Sequence, residues 1–313
     1  MGKLHLKYPL TQIYLCDILT QIENLDSNFS YTKKNQRQMT KAILSQKKIG
    51  FIGVGNMATS IISGLLDSCR VSNSQVYISD RDKRKLSIKK RRLKVKAVAN
   101  NLELVKLADI IILCVKPQDI KGVLEEIKNE IIEDRIVISI AAGITLDFLK
   151  KYLLKKVKLI RVMPNIGSLV QEAMVCISYD KDLDSKSKDI AKMIFEAIGE
   201  VEEIDEKLMD IITSLSGSGP AYIAYVVSSL IDAANLEGLS KDKAKRLTLQ
   251  TAKGTIKLLK DERIEPEQLI KMVSSKGGTT EAAFKVFKKH RLNYIFSKAI
   301  KAAIKRSEEL SKR

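Results

Sequence analysis

A chain of 313 residues, 45% of them hydrophobic, can bury two cores, which argues against disorder, and it holds no apolar run of the ~20 residues that a helical membrane span needs. Lys and Arg number 55 against 37 Asp and Glu, a net charge of +18. The basic residues are mixed with acids along helix faces, and the densest cluster, residues 81–96, has no aromatic residue to stack on bases, so the charge favours small anionic ligands over nucleic acid.

Residues 1–46 have a polar middle and weak periodicity, and they lack both the apolar core of a secretory signal and the acid-poor composition of a transit peptide. They read as an N-terminal extension without a core of its own, or as residues upstream of a true start at Met39. From Lys47 the pattern becomes regular. "KKIGFIGVG" is a buried strand entering a glycine turn, "NMATSIISGLLDS" a helix, "QVYISD" a second strand, "DKRKLSIKKRR" a basic helix and "KVKAV" a short third strand. "ADIIILCVKP" is a fourth strand stopped by Pro117, "QDIKGVLEEIKNEI" a helix and "RIVISIAAG" a fifth strand; "KLIRVMPN" and "AMVCISY" continue as strands. This alternation predicts an α/β fold, a Rossmann-type domain over 47–207 whose parallel sheet is covered on both faces. After Leu208 strand signals fade, and residues 208–313 read as an all-helical domain. Its first helix, "PAYIAYVVSSLIDAANLEGL", is apolar nearly all round, which calls for burial on several sides, for instance by dimerisation.

Histidines and cysteines limit the chemistry. His5 and His290 lie far apart, and Cys16, Cys69, Cys114 and Cys176 form no CxxC pair. A histidine triad and a His-rich zinc site therefore lack their residues, and Cys69, Cys114 and Cys176 read as buried thiols, a pattern that suits a reducing cytoplasm.

Four stretches remain as candidates. In "GFIGVGNMA" the spacing G-x-G-x-x-A sits between a strand and a helix: Gly53 permits the tight turn, Gly55 lets a pyrophosphate approach the backbone, Ala58 allows close packing, and Asn56 and Met57 begin the helix. Asp80, ending the second strand, stands where an acid holds the adenosine ribose of NAD, whereas Arg81, Lys83 and Arg84 directly after it suit the 2′-phosphate of NADP; the balance leans to NADPH, with NADH as the alternative. Lys116 and Pro117 follow the fourth strand, and Asn165 follows the sixth, at the carboxyl ends where ligands bind. Lys116 could face the cofactor or simply reach water, and Asn165 could offer its amide to the nicotinamide or the substrate or be only a polar turn residue after proline. "SLSGSGP" (214–220) reads as a hinge or as small residues packed against a ligand. "VSSKGGTTEAAF" (273–284) reads either as a glycine break before a helix capped by Thr279, or as an anion site of free N–H groups and hydroxyls.

Taken in order, "GFIGVGNMA", "VKPQ", "RVMPN", "LSGSGPAY" and "VSSKGGTT" resemble the Δ1-pyrroline-5-carboxylate reductases from about residue 47 to the C-terminus. The resemblance implies an NAD(P)-binding Rossmann domain followed by a helical domain that intertwines into a homodimer, often assembled further. It implies a cyclic imino acid as substrate, its carboxylate held by Ser275, Gly277, Gly278, Thr279 and Thr280, with Thr280 matching the threonine that hydrogen-bonds the ring nitrogen. Two departures stand out: Ile166 and Gly167 follow Asn165 where the family usually has Thr-Pro, and Lys276 replaces a proline. Competing readings are a β-hydroxyacid dehydrogenase, for which Lys253 and Lys276 are available, another imine reductase, or a non-catalytic NADP-binding regulator.

Overall fold

The structure, a computed structural model, describes residues 43–153 and 157–311. The readings made for residues 1–42 lie outside the described residues. Leu44, assigned to the extension by its sequence, is fully buried, and the Gln75 side chain donates to its carbonyl and to that of Lys47.

Among the described residues, eight strands form one sheet: β1 (Ile49–Ile52), β2 (Val76–Ser79), β3 (Lys96–Ala97), β4 (Ile110–Leu113), β5 (Ile136–Ser139), β6 (Lys158–Met163), β7 (Ala173–Tyr179) and β8 (Gly199–Glu203), in the order β3-β2-β1-β4-β5-β6-β7-β8. The helices between them are α1 (Asn56–Asp67), α2 (Lys83–Leu93), α3 (Asn101–Leu107), α4 (Pro117–Ile127), α5 (Leu146–Tyr152) and α6 (Ser185–Phe195). Because the sheet is covered on both faces, its strands are continuous apolar runs rather than alternating ones. In β4, Ile110 and Ile112 point into a core shared with α1 and α6, while Ile111 and Leu113 point into a second core with α3 and α4.

The sheet departs from the all-parallel expectation at one edge. β7 pairs antiparallel with β6, and β8 runs parallel to β7. The link from Pro164 to Glu172 contains only a 3₁₀ turn, Ile166–Val170, too short for the dozen or so residues of a parallel crossover.

Beyond Glu203 the described elements are helical: α7 (Met209–Ile212), a wide turn over Thr213–Gly217, α8 (Gly219–Leu236), α9 (Lys241–Asp261), α10 (Pro266–Val273), α11 (Thr279–Lys289) and α12 (Leu292–Ser311). The end of α12 returns to α7, where the buried Ser307 hydroxyl donates to Asp210 at 2.6 Å. Helix α8 has no buried residue within the chain. Ile223, Tyr225, Leu230 and Leu236 on it are all more than half exposed. No described helix is long and apolar enough to cross a membrane. Of the thiols expected to be buried, Cys176 is, Cys114 is partly covered, and Cys69 is exposed. Cys69 is the left-handed residue that closes α1, with φ of +55°, so its side chain leaves the core.

Candidate active site

Strands β2 and β4 flank β1, so the chain leaves β1 toward opposite sides, and a crevice opens at the carboxyl ends of β1 and β4. A cavity of about 480 Å³ lies there, lined by Gly53, Gly55, Asp80, Arg81, Lys85 and Lys116 among others. Its floor depends on glycine. Gly53 has φ of +89°, and a Cβ on it would stand 2.9 Å from the Val115 Cγ1 atom and 3.0 Å from the Cys114 carbonyl oxygen. Gly55 is the N-cap of α1 and brings no side-chain cap; a Cβ there would meet nothing within 4 Å. The first N–H groups of α1, on Asn56, Met57 and Ala58, have no partner within the helix. An open backbone at a helix N-terminus is what a pyrophosphate requires, so these residues fit a dinucleotide. Ala58 is fully buried, as close packing of α1 on β1 requires.

Asp80 is built into this floor. Its Oδ2 accepts from the Val54 N–H and from Lys85 Nζ, each at 2.9 Å, and its Oδ1 accepts from the Asp82 N–H at 2.9 Å. Burial alone would raise its pKa, but the two N–H groups and the Lys85 ammonium outweigh burial and hold the carboxyl below its usual range. Arg81 reaches Asp119 at 3.1 Å across the cavity mouth, with its side chain 83% exposed. Lys83 turns away and donates to the Ala99 carbonyl at 2.5 Å. Lys116 is the N-cap of α4, and Pro117 supplies that helix's first residue, where its missing N–H costs nothing. Lys85, Asn101, Gln118 and Asp119 also line the cavity, and the sequence reading did not single them out. For Lys85 the signal was present as one lysine among several in a basic helix.

Asn165 lies elsewhere. Its amide donates to the Ser216 carbonyl at 3.2 Å and its oxygen accepts from the Gly167 N–H at 3.0 Å, tying the end of β6 to the "SLSGSGP" turn. It lines an open, mostly apolar groove with Ser216, Pro220, Ile223 and Leu249. That turn is a wide helical one continuing directly into α8, with Pro220 in the first turn.

The Ser274–Gly278 loop lines neither cavity. Gly278, not Thr279, is the N-cap of α11, and among the described residues no side-chain cap hydrogen bond closes that helix. Gly277, with φ of +74°, donates its N–H to Glu281 Oε2 at 2.6 Å, and the Gly278 N–H bonds the Ser275 carbonyl at 3.0 Å. The Gly277 N–H, then Lys285, draw the Glu281 pKa down. The N–H groups of Thr279 and Thr280, in the first turn of α11, have no acceptor within the helix.

A glycine turn at a helix N-terminus, at the switch point of a doubly wound sheet, joined to a set of helices with bare apolar faces, defines a dinucleotide-dependent oxidoreductase. The family profiles agree: residues 48–143 match "NADP oxidoreductase coenzyme F420-dependent", and residues 206–310 match "Pyrroline-5-carboxylate reductase dimerisation". Pyrroline-5-carboxylate reductase of Methanosarcina acetivorans is 36% identical over 86% of this chain and 100% of its own length, and pyrroline-5-carboxylate reductase 2 of Bacillus subtilis is 34% identical over 84% and 95%. The Coxiella burnetii reductase structure superposes with a TM-score of 0.80 at 36% identity, covering 86% of this chain and 100% of that one; the Plasmodium falciparum enzyme with NADP bound gives 0.77 at 30%, covering 85% and 99%. The chain belongs to the pyrroline-5-carboxylate reductase family, and it is an NAD(P)H-dependent oxidoreductase.

Proposed function

We propose that the chain carries out its family's reaction, reduction of Δ1-pyrroline-5-carboxylate to L-proline, with residues 47–207 holding the cofactor and residues 208–313 forming the dimerisation and substrate domain. The observation that carries this reading is the uncapped start of α1 at Gly55, open to the cavity behind the Gly53 turn. Gly53, Gly55, Asn56, Met57 and Ala58 would hold the pyrophosphate, Asp80 and Arg81 would line the adenosine end, and Lys116 and Pro117 the edge of the cleft. The bound NAD(P)H supplies the hydride that the imine carbon takes up. Asn165 is a positioning residue in this reading, because its amide is spent on Ser216.

The substrate carboxylate would sit at the start of α11, on the Thr279 and Thr280 N–H groups with Ser275, Gly277 and Gly278 around it. The helix's positive end favours the anion. To contribute its own N–H, Gly277 must give up Glu281, so the substrate carboxylate replaces an internal one there. The Thr280 hydroxyl, which has no partner among the described residues, would hydrogen-bond the ring nitrogen. The imine is already electrophilic, so the protein's part is placement at near-attack distance rather than strong acid catalysis.

The bare faces of α8 and α9 support a homodimer or larger homo-oligomer, and the free thiols Cys69, Cys114 and Cys176 support a cytoplasmic setting. Oxidation of NADPH and NADH by the purified protein, with and without Δ1-pyrroline-5-carboxylate, tests the proposal. Substrate-dependent oxidation yielding L-proline supports it; cofactor binding without turnover overturns it in favour of another substrate or a regulator.

A further inference from the structure

At the adenosine end of the cleft the chain carries two contradictory residue types. An acid at the end of β2 ordinarily accepts from the ribose hydroxyls and repels a 2′-phosphate. Asp80 occupies that position, yet its side chain is only 8% exposed and its carboxylate already accepts three hydrogen bonds, from the Val54 and Asp82 N–H groups and from Lys85. A carboxylate offers about four acceptor sites, so little is left for a ribose. Lys85 sits one turn into α2, lines the cavity, and keeps its ammonium 2.9 Å from Asp80 with 39% of its side chain exposed. Arg81 is more exposed still, held among the described residues by Asp119 on the opposite wall. Glu126, the other acid of the lining, accepts from Asn101 at 2.7 Å.

We propose that Lys85 is the specificity-determining residue of the adenosine subsite. By pairing with Asp80 it cancels the charge that would reject a 2′-phosphate, and it shares that phosphate with Arg81. Without Lys85, Asp80 faces the ribose as an unpaired anion, and the subsite turns to the 2′-hydroxyl of NADH. Lys83 plays no part in this, because its ammonium is committed to the Ala99 carbonyl. The inference rests on the cleft being the dinucleotide site.

Calorimetric binding of adenosine 2′,5′-bisphosphate and of ADP reads the subsite directly, without turnover. The wild type is expected to bind the bisphosphate more tightly than ADP. Lys85→Ala is expected to lose about tenfold or more on the bisphosphate, the loss of one charge-assisted hydrogen bond, while ADP binding holds. Lys85→Arg keeps a cation beside Asp80 and should keep the preference. Asp80→Asn combined with Lys85→Ala should recover part of the lost affinity, because the anion that Lys85 cancels is gone while its own contact to the phosphate stays lost. Equal losses on both ligands in Lys85→Ala, absence of recovery in the double variant, or a wild type that prefers ADP would each overturn the assignment. A wild type that binds neither ligand nor NADPH would instead remove the dinucleotide site itself.

Discussion

Thr280 and Gly53 depend on their surroundings in opposite ways. The Thr280 hydroxyl is partnerless among the described residues, in the first turn of a helix that no side chain caps, so removing it breaks nothing in the fold. Thr280→Val should therefore lower turnover by about tenfold or more, as one lost hydrogen bond to a developing charge would, with NADPH affinity and melting temperature unchanged. Steady-state rates beside fluorescence titration of NADPH measure both; unchanged turnover removes Thr280 from the mechanism. Gly53 has no such freedom. Its φ of +89° and the 2.9 Å approach to Val115 leave no room for a methyl group against the β4 end. Gly53→Ala should cost about 1–3 kcal/mol, combining backbone strain with overpacking, and should abolish nucleotide binding; denaturant melts and calorimetry check the two effects. Thr280 was singled out only by the resemblance, whereas the sequence pattern itself pointed to Gly53, because a tight chain turn is a local property. The pattern did not reveal that Asn165 and Gly277 already hold internal partners, Ser216 and Glu281, since those bonds depend on how the chain folds back.

Among the elements, the strong apolar runs were legible, as were the basic helix α2 and the short strand β3, whereas β8 and the helices α3, α5 and α6 were not. β1, β4 and β5 are continuous apolar runs, and the long helices α8, α9 and α12 follow helical spacing, so composition alone marks them. β8, "GEVEE", has three acids in five residues and only Val201 to place inward, so it reads as a loop until Ala173–Ile177 of β7 provides its pairing partner. Helix α6 was missed as well, although Asp184 marks its start. The Asp184 carboxylate caps α6 by accepting from the Ser187 N–H at 2.9 Å and pairs with Lys158 at 3.0 Å. Burial alone would raise its pKa, but the Ser187 hydroxyl and N–H and the Lys158 ammonium bring it down to about 2. A depressed carboxyl contributes stability that is full above its unfolded value near 4 and is lost as pH falls through the folded one. Asp184 is 46% exposed, so solvent screens the ion pair and the cap dominates. Asp184→Ala should cost about 1 kcal/mol at pH 6, and the difference from wild type should narrow as pH falls from 4 toward 2. Urea melts across that range test the sign; a gap that widens in acid would refute it.

At the scale of the whole molecule, a single chain leaves two things undone. Ile223, Tyr225 and Leu230 of α8 are 62%, 75% and 51% exposed, and Ile223 lines an open apolar groove beside Asn165. Fully burying each such side chain is worth roughly 1.5–3 kcal/mol, so water is a poor partner for this face, and the match of residues 206–310 to a dimerisation family names the alternative. The Ser274–Gly278 loop, proposed to bind the substrate carboxylate, is likewise absent from the lining of the proposed dinucleotide cleft, so in that reading the two bindings are separable within one chain. If pairing of two helical domains completes the active site, one substitution should divide these functions. Ile223→Asp places a charge in the lining of the groove, where burial without a partner costs several kcal/mol. The variant should sediment as a monomer at concentrations where the wild type sediments as a dimer or larger. It should bind adenosine 2′,5′-bisphosphate as the wild type does, because Gly53, Gly55, Asp80 and Lys85 all come from one chain. Its turnover of Δ1-pyrroline-5-carboxylate should fall with the fraction of dimer and return as protein concentration rises. A monomeric variant with full turnover would show that each chain builds its site alone, and a variant that loses nucleotide binding as well would show that the helical face supports the Rossmann fold itself.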